Sequence, residues 1–200
     1  MKNQIIFIHG WETFSNQRDY YDFLADYDYN PYKQKEKWHI NLNKLEDFEV
    51  FRPDMPWKWN CDYIAWKIWF EKVIPYINKE KLILIGHSLW VIFLTKYLSE
   101  NWCSKKINQL HLVSWVFNDK WQGQTLWNFN FDNTETISGI QDIAEKIFIY
   151  HSRDDFVVPY EHAEKYLEYL PSARLMSFED RGHFLQAEFP ELIENIKNNI

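Results

Sequence analysis

Glycine is scarce in this chain: five residues in 200, where ordinary usage of about 7% would supply about 14. No G-x-G-x-x-G or Walker A pattern follows any apolar run, which argues against a nucleotide-binding α/β protein. Cysteine is nearly absent too. Cys61 and Cys103 are the only two, and they have no metal-ligand spacing, so they read as reduced thiols in a reducing compartment. Basic charge is in deficit, with a net charge of -7, which argues against a nucleic-acid partner. No apolar run approaches the ~20 residues of a membrane span. The N-terminal apolar stretch, Ile5 to Ile8, is ended by His9 and Gly10 and is too short for a signal peptide. A cytoplasmic protein without a membrane partner is expected.

What is present is globular. Apolar residues make up 46% and charged residues 26%, enough for a packed core in one domain spanning 1-200. Short apolar runs read as strands at Gln4-Ile8, Phe48-Phe51, Lys81-Ile85, Gln109-Val113, Lys146-Tyr150 and Arg174-Phe178. Several are apolar on both faces, as in a covered parallel sheet. Helical patterns lie between them, at Gln17-Tyr27, Asp62-Ile77, Leu89-Ser99, Glu161-Tyr169 and Glu191-Asn198. In the second, Ile64, Ile68, Val73 and Ile77 recur at near-helical spacing. Alternating strands and helices predict a three-layer α/β fold, with a mostly parallel sheet of about six strands and helices on both faces. Residues 115-139 read as a long irregular stretch leaving a strand end, where open α/β folds bind ligands.

Four segments carry chemistry. Leu84-Ile85-Gly86-His87-Ser88-Leu89-Trp90 runs from a strand through Gly-x-Ser into a helix, the setting of a nucleophile elbow. Such a turn lifts the Ser88 hydroxyl above the sheet and aims the Leu89 backbone N–H at a developing oxyanion. A helix N-cap serine is the plainer account of the same residues. Ile8-His9-Gly10-Trp11 ends the first strand, where the second oxyanion donor of this arrangement arises, so the Trp11 N–H is the candidate. His9 itself reads as structural. After the fifth strand, His151-Ser152-Arg153-Asp154-Asp155 offers two carboxylates that could orient a histidine; either could equally cap the loop or the next helix. Glu179-Asp180-Arg181-Gly182-His183 follows the last strand, and Gly182 permits a turn that presents His183 over the sheet. Serine, aspartate and histidine each follow a strand, in the chain order of α/β-hydrolases.

Together Phe7-Ile8-His9-Gly10, Ile85-Gly86-His87-Ser88-Leu89, the segment His151 to Pro159 and Glu179 to Phe184 resemble the small cap-less serine hydrolases of the α/β-hydrolase superfamily. The group that includes retinoblastoma-binding protein nine is the most similar. Arg52-Pro53-Asp54-Met55-Pro56 with Trp66, and the tail from His183 to Leu192, are similar to that group as well. The resemblance implies an esterase-like site with Ser88 as nucleophile, His183 as base and Asp155, four residues before Pro159, as the orienting acid; Asp154 is the second choice. It implies an acyl-enzyme route for an ester, thioester or activated amide of a small-molecule acyl substrate, with no metal or cofactor required. The rival expectation is a pseudoenzyme that keeps the fold as a binding module.

The chain departs from that pattern where glycine would stand. Trp90 occupies the position two after the nucleophile, where strand and helix approach closely and a small residue is needed. Trp11 follows His9-Gly10, and Trp115 sits just past a strand end. Trp102, Trp121 and Trp127 fall in turn-like contexts, and Trp57 and Trp59 are further candidates. Trp38, Trp66 and Trp69 read as ordinary packing residues. The chain has 11 Trp; exchanging eight for glycine would restore ordinary usage of both. Two accounts fit. Either UGA codons for glycine are rendered here as tryptophan, or the protein is Trp-rich with an aromatic acyl pocket.

Overall fold

The computed structural model describes residues 3–9, 14, 16–27, 37–56, 61–77, 81–101, 105–117, 127–131 and 133–200. The chain builds a six-stranded sheet in the order β2-β1-β3-β4-β5-β6, every neighbouring pair parallel. The strands are β1 (Asn3–Ile8), β2 (Phe48–Phe51), β3 (Leu82–His87), β4 (Ile107–Val113), β5 (Ala144–Ser152) and β6 (Arg174–Phe178). Their apolar runs follow from the two covered faces. Ile6, Ile8, Leu82 and Leu84 face one side, with Trp66, Phe70 and the helix that follows Ser88. Ile5, Phe7, Ile83 and Ile85 face the other, with Trp38, Leu42, Leu192 and Ile196. Each fully buried side chain of this size contributes roughly 1.5–3 kcal/mol.

The helices are α1 (Gln17–Asp26), α2 (Tyr63–Glu71), α3 (Leu89–Asn101), α4 (Ile140–Ile143), α5 (Glu161–Tyr169) and α6 (Pro190–Asn198). Asn16 caps α1 by accepting from the Arg18 and Asp19 N–H groups, and Asp62 caps α2 by accepting from Ala65. Among the described residues no helix is long and apolar enough to cross a membrane.

Three expectations need correction. The pattern over Asp62-Ile77 is not one helix: α2 ends at Glu71, and a 3-10 turn at Ile74–Tyr76 follows with Pro75 in its first turn. Its buried face is also different. Tyr63, Trp66 and Phe70 point inward, whereas Ile64 and Ile68 are 53% and 56% exposed. Large aromatic rings outcompete isoleucine for the core face because each buries more apolar area. The stretch 115-139 is not uniformly irregular either, since 3-10 turns form at Trp127–Phe129 and Thr134–Gly139. A further 3-10 helix, Trp38–Lys44, had no periodic signal in the sequence.

All six strands end at one edge. The chain leaves β1 toward β2 on one side and then returns to place β3 on the other, so β1 and β3 flank a topological switch point, where ligands bind in open α/β sheets. Ser88 follows β3 there directly.

Candidate active site

Ser88 stands between the end of β3 and the first residue of α3. Its backbone is left-handed, with φ of 59°, a conformation that costs a non-glycine residue of order 1–3 kcal/mol and persists only where surroundings enforce it. Here the Ser88 N–H donates to Val113 O at 2.9 Å and the Ser88 carbonyl accepts from Val91 N–H at 2.9 Å. Gly86 makes the close approach possible: a Cβ there would meet the Val91 Cα at 3.3 Å and Leu94 Cδ1 at 3.1 Å. The Leu89 N–H opens α3, where the first amides have no intrahelical acceptor.

His183 arrives on a turn in which Gly182 and Phe184 both take positive φ, 50° and 53°. Its Nε2 accepts the Ser88 hydroxyl at 2.9 Å. Its Nδ1–H donates to the Asp155 carboxylate, with both oxygens at 3.0 Å. Asp155 Oδ1 also accepts from the Val157 and Val158 N–H groups at 2.8 and 2.9 Å. Burial alone would raise the Asp155 carboxyl, but the His183 partner and those two backbone donors outweigh it and hold the group below the ordinary carboxylate range. Asp155 therefore stays ionised. The structure thus brings Ser88, His183 and Asp155 into one hydrogen-bonded chain.

Asp154, the second-choice acid, does something else. Its Oδ1 accepts from the Gly182 N–H at 2.8 Å and from the Ser152 hydroxyl, tying the histidine turn to the end of β5. Trp11 lies outside the described residues. His9 Nε2 lies 3.1 Å from Lys37 Nζ, and its ring packs edge-on to His39 and His87.

Three supports escaped the sequence reading. The buried His87 Nε2–H donates to the His183 carbonyl at 2.9 Å. Trp38 Nε1–H donates to the Phe184 carbonyl at 2.9 Å, so the 3-10 helix it begins clamps the turn from the far side. His151 Nε2–H donates to Val158 O at 2.9 Å beneath Asp155. The middle residue of Gly-His-Ser was the one available signal for the first of these.

Two buried tryptophans lie close to Ser88 in the chain or across the neighbouring strand end. Trp90 and Trp115 are 0% exposed. Trp90 lies flat on Trp66, ring centroids 4.1 Å apart. Trp115 lies flat on Tyr166 at 3.0 Å, closer than the ~3.5 Å at which carbon atoms stop repelling. The buried Trp90 indole N–H has no hydrogen-bond partner, and that of Trp115 has only the Tyr166 hydroxyl nearby, without a well-formed bond to it. The indoles of Trp38 and Trp66, by contrast, both donate to carbonyls at 2.9 Å.

The architecture and site order now meet the comparisons with known proteins. The chain superposes on the ydeN gene product of B. subtilis with a TM-score of 0.73, covering 99% of this chain and 98% of that one at 17% identity. It also superposes on Est1E from Butyrivibrio proteoclasticus, solved with ferulic acid, with a TM-score of 0.65 over 98% of this chain and 89% of that one at 16% identity. The chain has the α/β-hydrolase fold. It is 27% identical over 157 residues to serine hydrolase RBBP9 of Rattus norvegicus, covering 78% of this chain and 81% of the relative. No family profile matches the chain. The chain thus carries this fold with two buried tryptophans, Trp90 and Trp115, near Ser88.

Proposed function

We propose that this chain is a serine hydrolase that cleaves an ester, thioester or activated amide through an acyl-enzyme on Ser88. The observation that carries the reading is the continuous relay from the Ser88 hydroxyl through His183 to Asp155, each link at 2.9–3.0 Å. His183 takes the serine proton as Oγ attacks the substrate carbonyl, and Asp155 stabilises the imidazolium that results. The Leu89 N–H is the oxyanion donor on the nucleophile side, such a donor being worth about 10²–10³ in rate; the backbone N–H of residue 11 is assigned as the second. His183 then returns the proton to the leaving group, and water, activated by the same histidine, releases the acid. The relatives support this reading, since one carries the name serine hydrolase.

Two measurements test it. A fluorophosphonate probe should label the wild-type protein at Ser88 and leave Ser88→Ala unlabelled. Hydrolysis of p-nitrophenyl acetate should fall to the solution background in Ser88→Ala. A wild-type protein that resists the probe, or a Ser88→Ala variant as fast as wild type, would show that the relay is not catalytic.

A further inference from the structure

A second group of polar side chains gathers at the neighbouring strand ends and takes no part in the relay. At the ends of β1 and β2 a cleft of about 140 Å³ is lined by His9, His39, Arg52 and Asp54 over a floor of Phe7 and Met55. Ile8 pairs in register with Gly86, so His9 lies level with His87, one residue before Ser88, and their rings are 5.3 Å apart. Arg52 is half-buried and makes no ion pair among the described residues. A desolvated cation without a counter-charge is unfavourable unless a ligand supplies one. His39 has both ring nitrogens buried without a hydrogen-bond partner. Burial first, then the neighbouring His9, Lys37 and Arg52 charges, pushes its pKa down to about 3, so it is neutral and has an N–H to donate. One guanidinium and one neutral imidazole match a single negative charge. A dianion would be undercompensated, and Asp54 on the exposed rim would repel it.

We infer that this cleft binds a carboxylate carried by the substrate, with Arg52 and His39 as its receptors. The inference rests on the proposed hydrolase reading for the position of the scissile bond. The probes are three esters: p-nitrophenyl butyrate, mono-p-nitrophenyl glutarate with the carboxylate on the acyl side, and 4-carboxyphenyl butyrate with it on the leaving group. Wild type should prefer one carboxylated ester over its neutral counterpart in kcat/KM, and which one assigns the side. Arg52→Gln should reduce that ratio by about 10–100-fold, the range of a charge-assisted hydrogen bond. Absence of preference in wild type, or an unchanged ratio in Arg52→Gln, would overturn the inference and leave the relay standing. If wild type hydrolyses none of the three, the relay reading fails. Calorimetry of glutarate with Ser88→Ala and with Ser88→Ala/Arg52→Gln then decides: binding that disappears with Arg52 supports the cleft, and no binding to Ser88→Ala refutes it.

Independent observations carry a second inference. We infer that positions 90 and 115 are glycine in the protein as its own organism makes it, UGA being read there as glycine. Both positions carry a buried indole N–H without a well-formed bond; the spacing after Gly86-His87-Ser88 singles out 90 and the ring overlap singles out 115, while Trp38 and Trp66 fit and are hydrogen-bonded. Tandem mass spectrometry of the tryptic peptide Leu82 to Lys96 from the native source should read glycine at 90, and the gene should carry UGA at 90 and 115 but UGG at 38 and 66. Tryptophan in that peptide, or UGG at 90 and 115, would end the idea.

Discussion

Replacing Trp90 and Trp115 by glycine separates a side chain that belongs in its site from one that does not. A fitted, fully buried tryptophan truncated in a core costs about 3–5 kcal/mol, and glycine inside a helix adds about 1 kcal/mol at position 90. Against that stand two penalties in the present structure. An unsatisfied buried N–H costs about 1–3 kcal/mol, and overpacking typically costs a further 1–3 kcal/mol. At Trp115 both operate, because its ring lies 3.0 Å from Tyr166. The Tyr166 ring, whose hydroxyl is held by the Val116 carbonyl at 2.8 Å, can settle into the space released. The Trp38→Gly variant is the control. Trp38 is 2% exposed, its indole is bonded, and it sits on the opposite face of the sheet. For a chain of this size each kcal/mol moves Tm by about 2–4 °C, so Trp38→Gly should lower Tm by roughly 6–20 °C. Trp115→Gly should leave Tm unchanged or raise it, and Trp90→Gly, relieved only of its unmet N–H, should lower Tm by less than Trp38→Gly does and react faster with a fluorophosphonate. Far-UV circular dichroism melts at matched concentration provide the measurement. Losses in the two flanking variants as large as in Trp38→Gly would refute the reasoning and make both tryptophans true core residues.

Asp155→Asn should keep the fold and lower kcat by about 10⁴, the scale for losing the acid of such a relay, read from steady-state ester hydrolysis. Asp154→Asn, which weakens the ties to Gly182 and Ser152 but not the bond to His183, should cost far less, so equal losses in the two would contradict the assignment. His87→Phe should loosen the His183 turn by removing the donor to its carbonyl, lowering kcat while leaving the far-UV spectrum intact; unchanged kcat would dismiss that support. Acid should destabilise the fold well above the carboxylate range. Burial drives the His111 pKa from 6.5 down to about 3 and His87 well below its ordinary value. The unfolded chain therefore takes up protons below about 6.5 that the native state refuses. Each such imidazole removes up to about 1.4 kcal/mol per pH unit as pH falls. Urea midpoints should drop from pH 7 to pH 5, and a flat profile would count against neutral buried histidines.

What the sequence made legible follows the physics of each signal. β2, β6 and α5 were read with their observed bounds, because short apolar runs between polar breaks and an amphipathic pattern at helical spacing stand out even in edge strands. The meeting of Ser88, Asp155 and His183 was legible because each follows a strand, and parallel strands bring their ends to one edge whatever the intervening length. The choice between Asp154 and Asp155 was not open to residue pattern alone: both lie in the turn after β5, and only the folded turn shows that Asp154 ties to Gly182 while Asp155 faces His183. The core face of α2 was misread because helical spacing fits Ile64 and Ile68 as well as Tyr63, Trp66 and Phe70, and only the partners across the layer, Phe93 and Phe129, choose between them.

The elbow joins these strands of argument. Gly86 and Ser88 are forced by the same crowding: β3 and α3 approach so closely that Val91 Cα would lie 3.3 Å from a side chain at position 86, and the turn between them must run left-handed at Ser88. A turn that tight tolerates no bulk on its second flank, yet position 90 carries the largest side chain in the repertoire, fully buried against Trp66 and Phe93. The fold accommodates it only by leaving its indole N–H unbonded. The position the motif would have made glycine thus carries a fully buried indole whose N–H finds no partner, and sequence pattern and polar chemistry reach that position by separate routes.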